Sequence, residues 1–256
     1  MLTIIMCLEY DGTDYSGWQI QANKKTIQGE LTKAIKKATS KEYVVVGAGR
    51  TDTGVHSSGQ IAHFQLDENE LKLPKHKIIL AINQKLPKNI RVKKIWFTEL
   101  EFHSRYDAVM REYRYRFSRY PSVFHQRFTT FFPYKMDLDL LFKSAEIFLG
   151  KHNFYTFSKS NSSNENYLCD VKKCIWQQTD EFGFELSIVA DRYVYGMVRA
   201  IVGAMIDIAR NKRNFEDIVN ALQIQDRTLA SPFAPPVGLD LFRIYYKTPF
   251  DFVQPF

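Results

Sequence analysis

From residue 111 to 117 the chain reads Arg111-Glu112-Tyr113-Arg114-Tyr115-Arg116-Phe117. A period of two puts Tyr113, Tyr115 and Phe117 on one side and Glu112, Arg114 and Arg116 on the other. That pattern is a strand with an aromatic face turned to a core, so the chain must build at least one covered sheet. Other runs supply partners for it. Leu2-Thr3-Ile4-Ile5-Met6-Cys7-Leu8-Glu9-Tyr10 is an apolar strand stopped by the turn pair Asp11-Gly12. Residues 61–66, 90–100, 168–178, 184–191 and 239–246 read as further strands, with Asp180, Glu181 and Gly183 as the turn of a hairpin between the third and fourth of these.

Helices alternate with these strands. Thr26 caps one that runs to about Ser40, with Ile27, Leu31, Ile35 and Ala38 on a single face and Lys33, Lys36 and Lys37 turned to water. Pro74 opens a second, striped by Ile78, Ile79, Ile82 and Leu86 and closed by Leu86-Pro87. Residues 138–150 read as a third, with Gly150 as its cap. A fourth, at 195–211, carries the apolar residues Met197, Val198, Ile201, Val202, Met205, Ile206 and Ala209, and one charge, Arg199, interrupts its first turns. A charge there needs a carboxylate partner or a path for its stem to solvent. Residues 215–222 form a fifth. The polar run 158–166 is expected to be a mobile surface loop, and the apolar tail 250–256 to dock on the body or on a second subunit. The domain division expected is 1–100 and 101–256.

Between the first helix and the strand at 61–66 lies Gly47-Ala48-Gly49-Arg50-Thr51-Asp52-Thr53-Gly54-Val55-His56. It follows the β-branched run Tyr43-Val44-Val45-Val46 and reads as a loop at the end of a buried strand. Its three glycines permit positive φ or close approach of backbone to a ligand. Arg50 and Asp52 share a face if the loop is extended. A dinucleotide fingerprint would need glycine at Asp52, and a phosphate loop would need Lys and Ser or Thr after Gly54, so neither motif is present. From residue types alone, a tight turn with a local Asp52 hydrogen bond is the favoured account of the stretch, with a reactive site as the alternative.

The formal net charge of +7 favours a polyanionic partner. Three cysteines without a Cys-x-x-Cys pair exclude a disulfide framework and a structural zinc site, and the six histidines make no helical metal pair. No segment is long and apolar enough to span a membrane, so a cytoplasmic protein is expected.

The frame Gly49-Arg50-Thr51-Asp52-Xaa-Gly54-Val55-His56, followed by Gly59-Gln60 and His63-Phe64, resembles the signature of the tRNA pseudouridine synthase A family. So do Tyr10-Asp11-Gly12-Thr13 with Gly17-Trp18-Gln19, and Phe102-His103-Ser104-Arg105, where Ser104 replaces the family's usual alanine. The same holds for His152-Asn153-Phe154, for Met197-Val198-Arg199-Xaa-Ile201-Val202-Gly203, and for Ala234-Pro235-Pro236-Val237-Gly238-Leu239. The likeness extends at least from Leu8 to Leu241. It implies an α+β fold: two similar halves forming a mixed, largely antiparallel sheet flanked by helices, with a basic central cleft. It implies isomerisation of uridine to pseudouridine at positions 38–40 of the tRNA anticodon arm, without a cofactor or metal, by a homodimer. It also implies Asp52 as catalytic nucleophile, Arg199 as the group that orients Asp52, and Tyr113 against the uracil. Arg50 and Arg105 are expected to guide the nucleotide or its phosphates. Family members often carry histidines where Tyr195-Gly196 stand here, so that part of the pocket wall is expected to differ.

Three other readings stay open from sequence: an RNA-binding protein with a decayed site, an aspartate-dependent nuclease or glycosidase, and a relative that modifies other RNA uridines. Intact Asp52, Tyr113 and Arg199 weigh against the first. The single carboxylate of the central loop weighs against the second, which calls for clustered or paired carboxylates.

Overall fold

The computed structural model describes residues 1–70, 73–159 and 166–253. In chain order its elements are β1 (Leu2–Tyr10), α1 (Ile27–Thr39), β2 (Val46–Gly47), β3 (His56–Leu66), α2 (Lys75–Asn83), β4 (Ile90–Thr98), β5 (Ala108–Ser118), β6 (Thr130–Phe131), α3 (Leu138–Ser144), β7 (Gly150–Asn153), β8 (Leu168–Gln178), β9 (Gly183–Ala190), α4 (Met197–Ala209), α5 (Phe215–Ile224) and β10 (Leu239–Tyr246). The class is α+β, with mixed, mostly antiparallel strand pairing and helices flanking the strands. The chain divides into two compact units. One is Met1–Val109 together with the segment that begins at Asp240, and the other is Met110–Leu239.

In the first unit β1 is central. It pairs antiparallel with β3, Leu2 opposite Leu66, and with β4, Thr3 opposite Thr98. β10 joins β3 in parallel, Asp240 opposite His56. Alternate residues of these strands, among them Ile4, Met6, Leu8, Ala62, Phe64, Ile90 and Val92, form one apolar cluster with Ile27, Leu31 and Ile35 of α1 and Ile78 and Ile82 of α2. The ends of α1 are set locally. Thr26 Oγ1 accepts the N–H of Gly29 at 3.3 Å, and Ser40 closes the helix in the left-handed region at φ 63°.

The run before the central loop is not the buried strand expected of it. Only Val46 and Gly47 pair, with His63 and Ala62 of β3. Val44 is 83% exposed while Val45 is buried. The carbonyl of Val45 is satisfied by the Gln28 side chain at 2.8 Å rather than by a neighbouring strand. A β-branched run makes a strand only where a partner edge is available.

The second unit carries β5, β9, β8 and β7 in that order, all antiparallel, with β6 added in parallel to β5. Tyr115 and Phe117 are fully buried, and the Phe117 ring lies 5.0 Å from Phe184 and 5.3 Å from Trp176. The opposite face of β5 is covered rather than merely wet. Glu112 and Glu185 are both buried. Arg114 reaches each of them at 3.3 Å, Arg116 reaches Glu185 at 2.6 Å, and the Ser187 hydroxyl donates to Glu112 at 3.1 Å. Carboxylates this sheltered require such partners. The β8–β9 turn is tied by Asp180 Oδ1, which accepts the N–H groups of Phe182 and Gly183; those bonds hold its pKa below the usual carboxylate value.

The helix expected at 138–150 is shorter. Asp137 caps it, but α3 stops at Ser144, whose hydroxyl bonds back to the Leu141 carbonyl at 2.6 Å, and the chain tightens into a 3-10 turn over Ala145–Phe148. Gly150, at φ +91°, starts β7 instead of capping a helix. The run 158–166 lies outside the described residues from 160 to 165. Of the tail, Phe250 and Val253 are buried and the Phe250 ring meets Phe102 at 4.9 Å, which docks this part on the first unit. Residues 254–256 lie outside the described residues.

Candidate active site

The loop between β2 and β3 is held by backbone bonds along its length. The Gln60 amide, wholly buried, replaces a strand partner at Gly49: its oxygen accepts the Gly49 N–H at 3.2 Å and its nitrogen donates to the Gly49 carbonyl at 2.8 Å. The Thr51 carbonyl accepts the Trp18 N–H at 3.0 Å, and Thr51 Oγ1 lies 2.8 Å from the Tyr10 hydroxyl. The Asp52 carbonyl accepts the N–H of Val55 at 3.1 Å, which closes the turn. The chain then enters β3 at His56, whose Nδ1 lies 3.1 Å from the Gly12 N–H and 3.3 Å from an Asp11 carboxylate oxygen. Asp52 is half-buried on this frame and Arg50 is exposed.

The segment after β1 lies so close to the loop that two of its residues must lack a side chain. A Cβ on Gly12 would fall 1.9 Å from the Val55 carbonyl oxygen, and one on Gly17 would fall 2.5 Å from that of Thr51. Tyr15 and Trp18 are buried and cover the sheet end.

The bend at 102–107 is fastened to the same region. Ser104 is fully buried. Its N–H donates to His63 Nδ1 at 3.2 Å, its hydroxyl donates to the Val46 carbonyl at 2.9 Å, and its carbonyl accepts from the Tyr246 hydroxyl at 2.6 Å. The hydroxyl that distinguishes Ser104 from alanine thus bonds to the strand that leads into the loop. Burial, aided by His103 and opposed by Asp107, pushes the His63 pKa down to about 4. Asp107 accepts the His103 N–H at 2.7 Å, and His103 Nδ1 accepts from the N–H groups of Arg105 and Tyr106. Arg105 is exposed, its guanidinium 5.9 Å from the Tyr106 ring.

In the second unit Arg199 sits in the first turn of α4, half-buried. Its Nε donates to the Ala234 carbonyl at 2.7 Å, and the Ala234 N–H donates to the Arg199 carbonyl at 3.0 Å. This reciprocal clasp fixes both the helix start and the side chain. Tyr113, on β5, is buried edge-on against Tyr193 at 4.9 Å. Burial raises the Tyr193 hydroxyl well above its ordinary pKa, and that hydroxyl lies 2.9 Å from the Ile188 carbonyl. Tyr115 bonds to Thr130 and to the Pro235 carbonyl, a core role, and burial raises its pKa too. Tyr195 is exposed, with Lys159 Nζ 3.2 Å from its hydroxyl.

Asp52, Arg50 and Arg105 belong to the first unit, and Tyr113 and Arg199 to the second. Tyr10, Thr51 and Gln60 stand in the quoted motifs, but their supporting roles, and that of Tyr193, were not assigned from the sequence; a signal that could have shown the close approach is the pair of glycines at 12 and 17. Among the described residues no group of three or more His, Cys, Asp or Glu is placed to hold a metal ion. Burial pushes the thiols of Cys169 and Cys174 up to about 12, far from a reactive thiolate. No helix of the described residues is long and apolar enough to cross a membrane.

The profile of the tRNA pseudouridine synthase family matches residues 6–107 and 144–247. The chain is 36% identical to tRNA pseudouridine synthase A of Caldicellulosiruptor saccharolyticus, over 96% of this chain and all of that one. It is 36% identical to tRNA pseudouridine synthase A 1 of Protochlamydia amoebophila, over 94% and 95% of the two chains. To tRNA pseudouridine synthase A of Bacillus pumilus it is 32% identical, over 93% and 97%. Among solved structures, similarity to a Cbf5-Nop10-Gar1 complex is slight, with a TM-score of 0.35 and 10% identity over 95% of this chain and 59% of that one, and carries no weight for fold or function. With matches running through both units and nearly the full length of each relative, the chain belongs to the tRNA pseudouridine synthase family.

Proposed function

We propose that this protein isomerises uridine to pseudouridine in the anticodon stem-loop of tRNA, at positions 38–40. The reaction breaks the bond from uracil N1 to ribose C1′, turns the base, and joins C5 to C1′; the C5 proton is lost and N1 gains one, so no atom or electron is exchanged overall. Such chemistry needs no cofactor. It needs an ionised carboxylate held beside the sugar and base, and Asp52 supplies it as nucleophile. Arg199 orients that carboxylate and keeps it charged. Tyr113 lies against the uracil once the nucleotide has left its stack, a step that costs a few kcal/mol. Stacking on an aromatic ring offsets about 1–3 kcal/mol of that cost. Arg50 and Arg105 hold the displaced nucleotide or its phosphates, and the net charge of +7 suits the polyanion. The enzyme works as a cytoplasmic homodimer.

The observation that carries this reading is the near full-length similarity to proteins named tRNA pseudouridine synthase A, with Asp52 on a loop whose backbone is bonded on both sides of it. The test is pseudouridine mapping on an unmodified tRNA with uridines in the anticodon arm, comparing wild type with Asp52→Asn. Wild type is expected to convert those uridines and the variant to bind tRNA without converting them. Wild-type binding without conversion would leave an RNA-binding protein, and equal conversion by both proteins would remove Asp52 from the chemistry.

A further inference from the structure

We infer that Tyr10 is a positioning residue for Asp52, acting through the hydroxyl of Thr51; this rests on the function proposed above. Tyr10 is the last residue of β1 and is locked there in register, opposite Ser57 on one side and Ile90 on the other. It is therefore a fixed point of the sheet. Its hydroxyl lies 2.8 Å from Thr51 Oγ1, with both residues buried. Thr51 immediately precedes Asp52, so the bond anchors the N-terminal side of the Asp52 Cα to the sheet. The Trp18 N–H on the Thr51 carbonyl holds that peptide in the other direction, and Gly17 lies against the same peptide. The turn bond from Val55 to the Asp52 carbonyl fixes the C-terminal side.

The backbone bonds set where the peptide lies. The Thr51 side-chain bond sets its rotation, because Oγ1 is off the axis of the chain. A small rotation about the 51–52 peptide is magnified along the Asp52 side chain. A nucleophile has to sit about 3–3.5 Å from its target atom, and a 1 Å displacement lowers a rate by roughly 100-fold. The hydroxyl pair is buried, and is thus placed to act on the rate of the chemical step and not on the binding of tRNA.

The experiment is single-turnover conversion of an anticodon-arm uridine by Tyr10→Phe, Thr51→Val and Thr51→Ser, alongside wild type and Asp52→Asn, with tRNA affinity and melting temperature measured for each. Tyr10→Phe and Thr51→Val each remove the bond with little change of shape. Each is expected to lower the rate constant about tenfold or more while the dissociation constant for tRNA stays within about twofold of wild type. The double variant should be no slower than the slower single, because both remove the same bond. Thr51→Ser keeps the hydroxyl and is expected to return the rate to within a few-fold of wild type. A purely structural role would lower the amplitude of the reaction, through loss of folded protein, and leave its rate constant alone; that result overturns the inference. So does an unchanged rate constant in Tyr10→Phe and Thr51→Val. If Tyr10→Phe does not fold, the Thr51→Val and Thr51→Ser pair decides. A wild type that converts no uridine, or an Asp52→Asn variant as active as wild type, fails the proposed function itself and takes this inference with it. Full wild-type activity with a dead Asp52→Asn and an unaffected Tyr10→Phe fails the positioning role alone.

Discussion

Replacing His63 by glutamine should remove a specific part of the protein's acid sensitivity. His63 lies in β3, opposite Ile5 of β1 and Val46 of β2, and is 5% exposed. Its Nδ1 accepts the Ser104 N–H, so the folded protein holds the imidazole with that nitrogen unprotonated. Burial is the largest cause of its pKa of about 4 against 6.5 for a free side chain; the neighbouring His103 lowers it further and Asp107 opposes both. In the unfolded chain His63 takes up a proton as pH falls through 6.5, while in the folded chain it does so only near pH 4. Between those values the unfolded state binds more protons, so acid favours unfolding, and the contribution is fully present above pH 6.5. The interval from 6.5 to about 4 corresponds to about 3 kcal/mol lost by pH 4, of which about 2 kcal/mol is gone by pH 5. Glutamine does not titrate. It will be less stable than wild type at pH 7, because the Ser104 N–H loses its acceptor, but that deficit should shrink by about 2 kcal/mol on going to pH 5. Urea unfolding of both proteins at pH 7.0 and 5.0 measures it. Parallel pH dependences, agreeing within about 0.5 kcal/mol, would mean that His63 protonates in place, and would refute the account of the bond from β3 to the 102–107 bend.

Two glycine replacements test the close contacts that frame the proposed catalytic groups. Gly12→Ala would set a Cβ 1.9 Å from the Val55 carbonyl oxygen, and since both sides are backbone the loop must move. A loss of about 1–3 kcal/mol in urea unfolding, with a larger fall in pseudouridine formation than in tRNA binding, is the expected result; a fall in binding alone would contradict it. Gly203→Ala would meet the Pro232 carbonyl oxygen at 2.0 Å and push the segment carrying Ala234 away from α4. The Arg199 Nε would lose its acceptor, and a comparable drop in melting temperature should accompany slower turnover.

How much of this was legible beforehand depended on whether the deciding contact was local. The period of two in β5 and the capping threonine of α1 are written within a few residues of the structure they specify, and both elements form where those signals stand. The Val44 run failed as a strand because pairing depends on an edge elsewhere in the fold. The short α3 failed for a nearby reason that the pattern does not weigh, the Ser144 hydroxyl competing for the Leu141 carbonyl. No pattern within residues 239–246 says that β10 returns to lie parallel beside β3, since that partner is about 180 residues distant.

The same distinction separates the candidate site from its supports. Asp52 stood out because the frame around it resembles the signature of a known family; its residue types alone fitted a local turn. Its supports were hidden because most of them act through the backbone. The Trp18 N–H, the Thr51 carbonyl and the Gly49 peptide would be offered by almost any residue at those positions. What a sequence can retain of such contacts is the absence of a side chain. Gly12 and Gly17 lie some forty and thirty-five residues before the loop, yet neither position tolerates a Cβ against Val55 and Thr51. A pair of glycines beyond a strand end, with no turn that demands them both, therefore marks a second piece of chain lying against the first. In this protein that second piece is what holds the loop of Asp52 to the sheet.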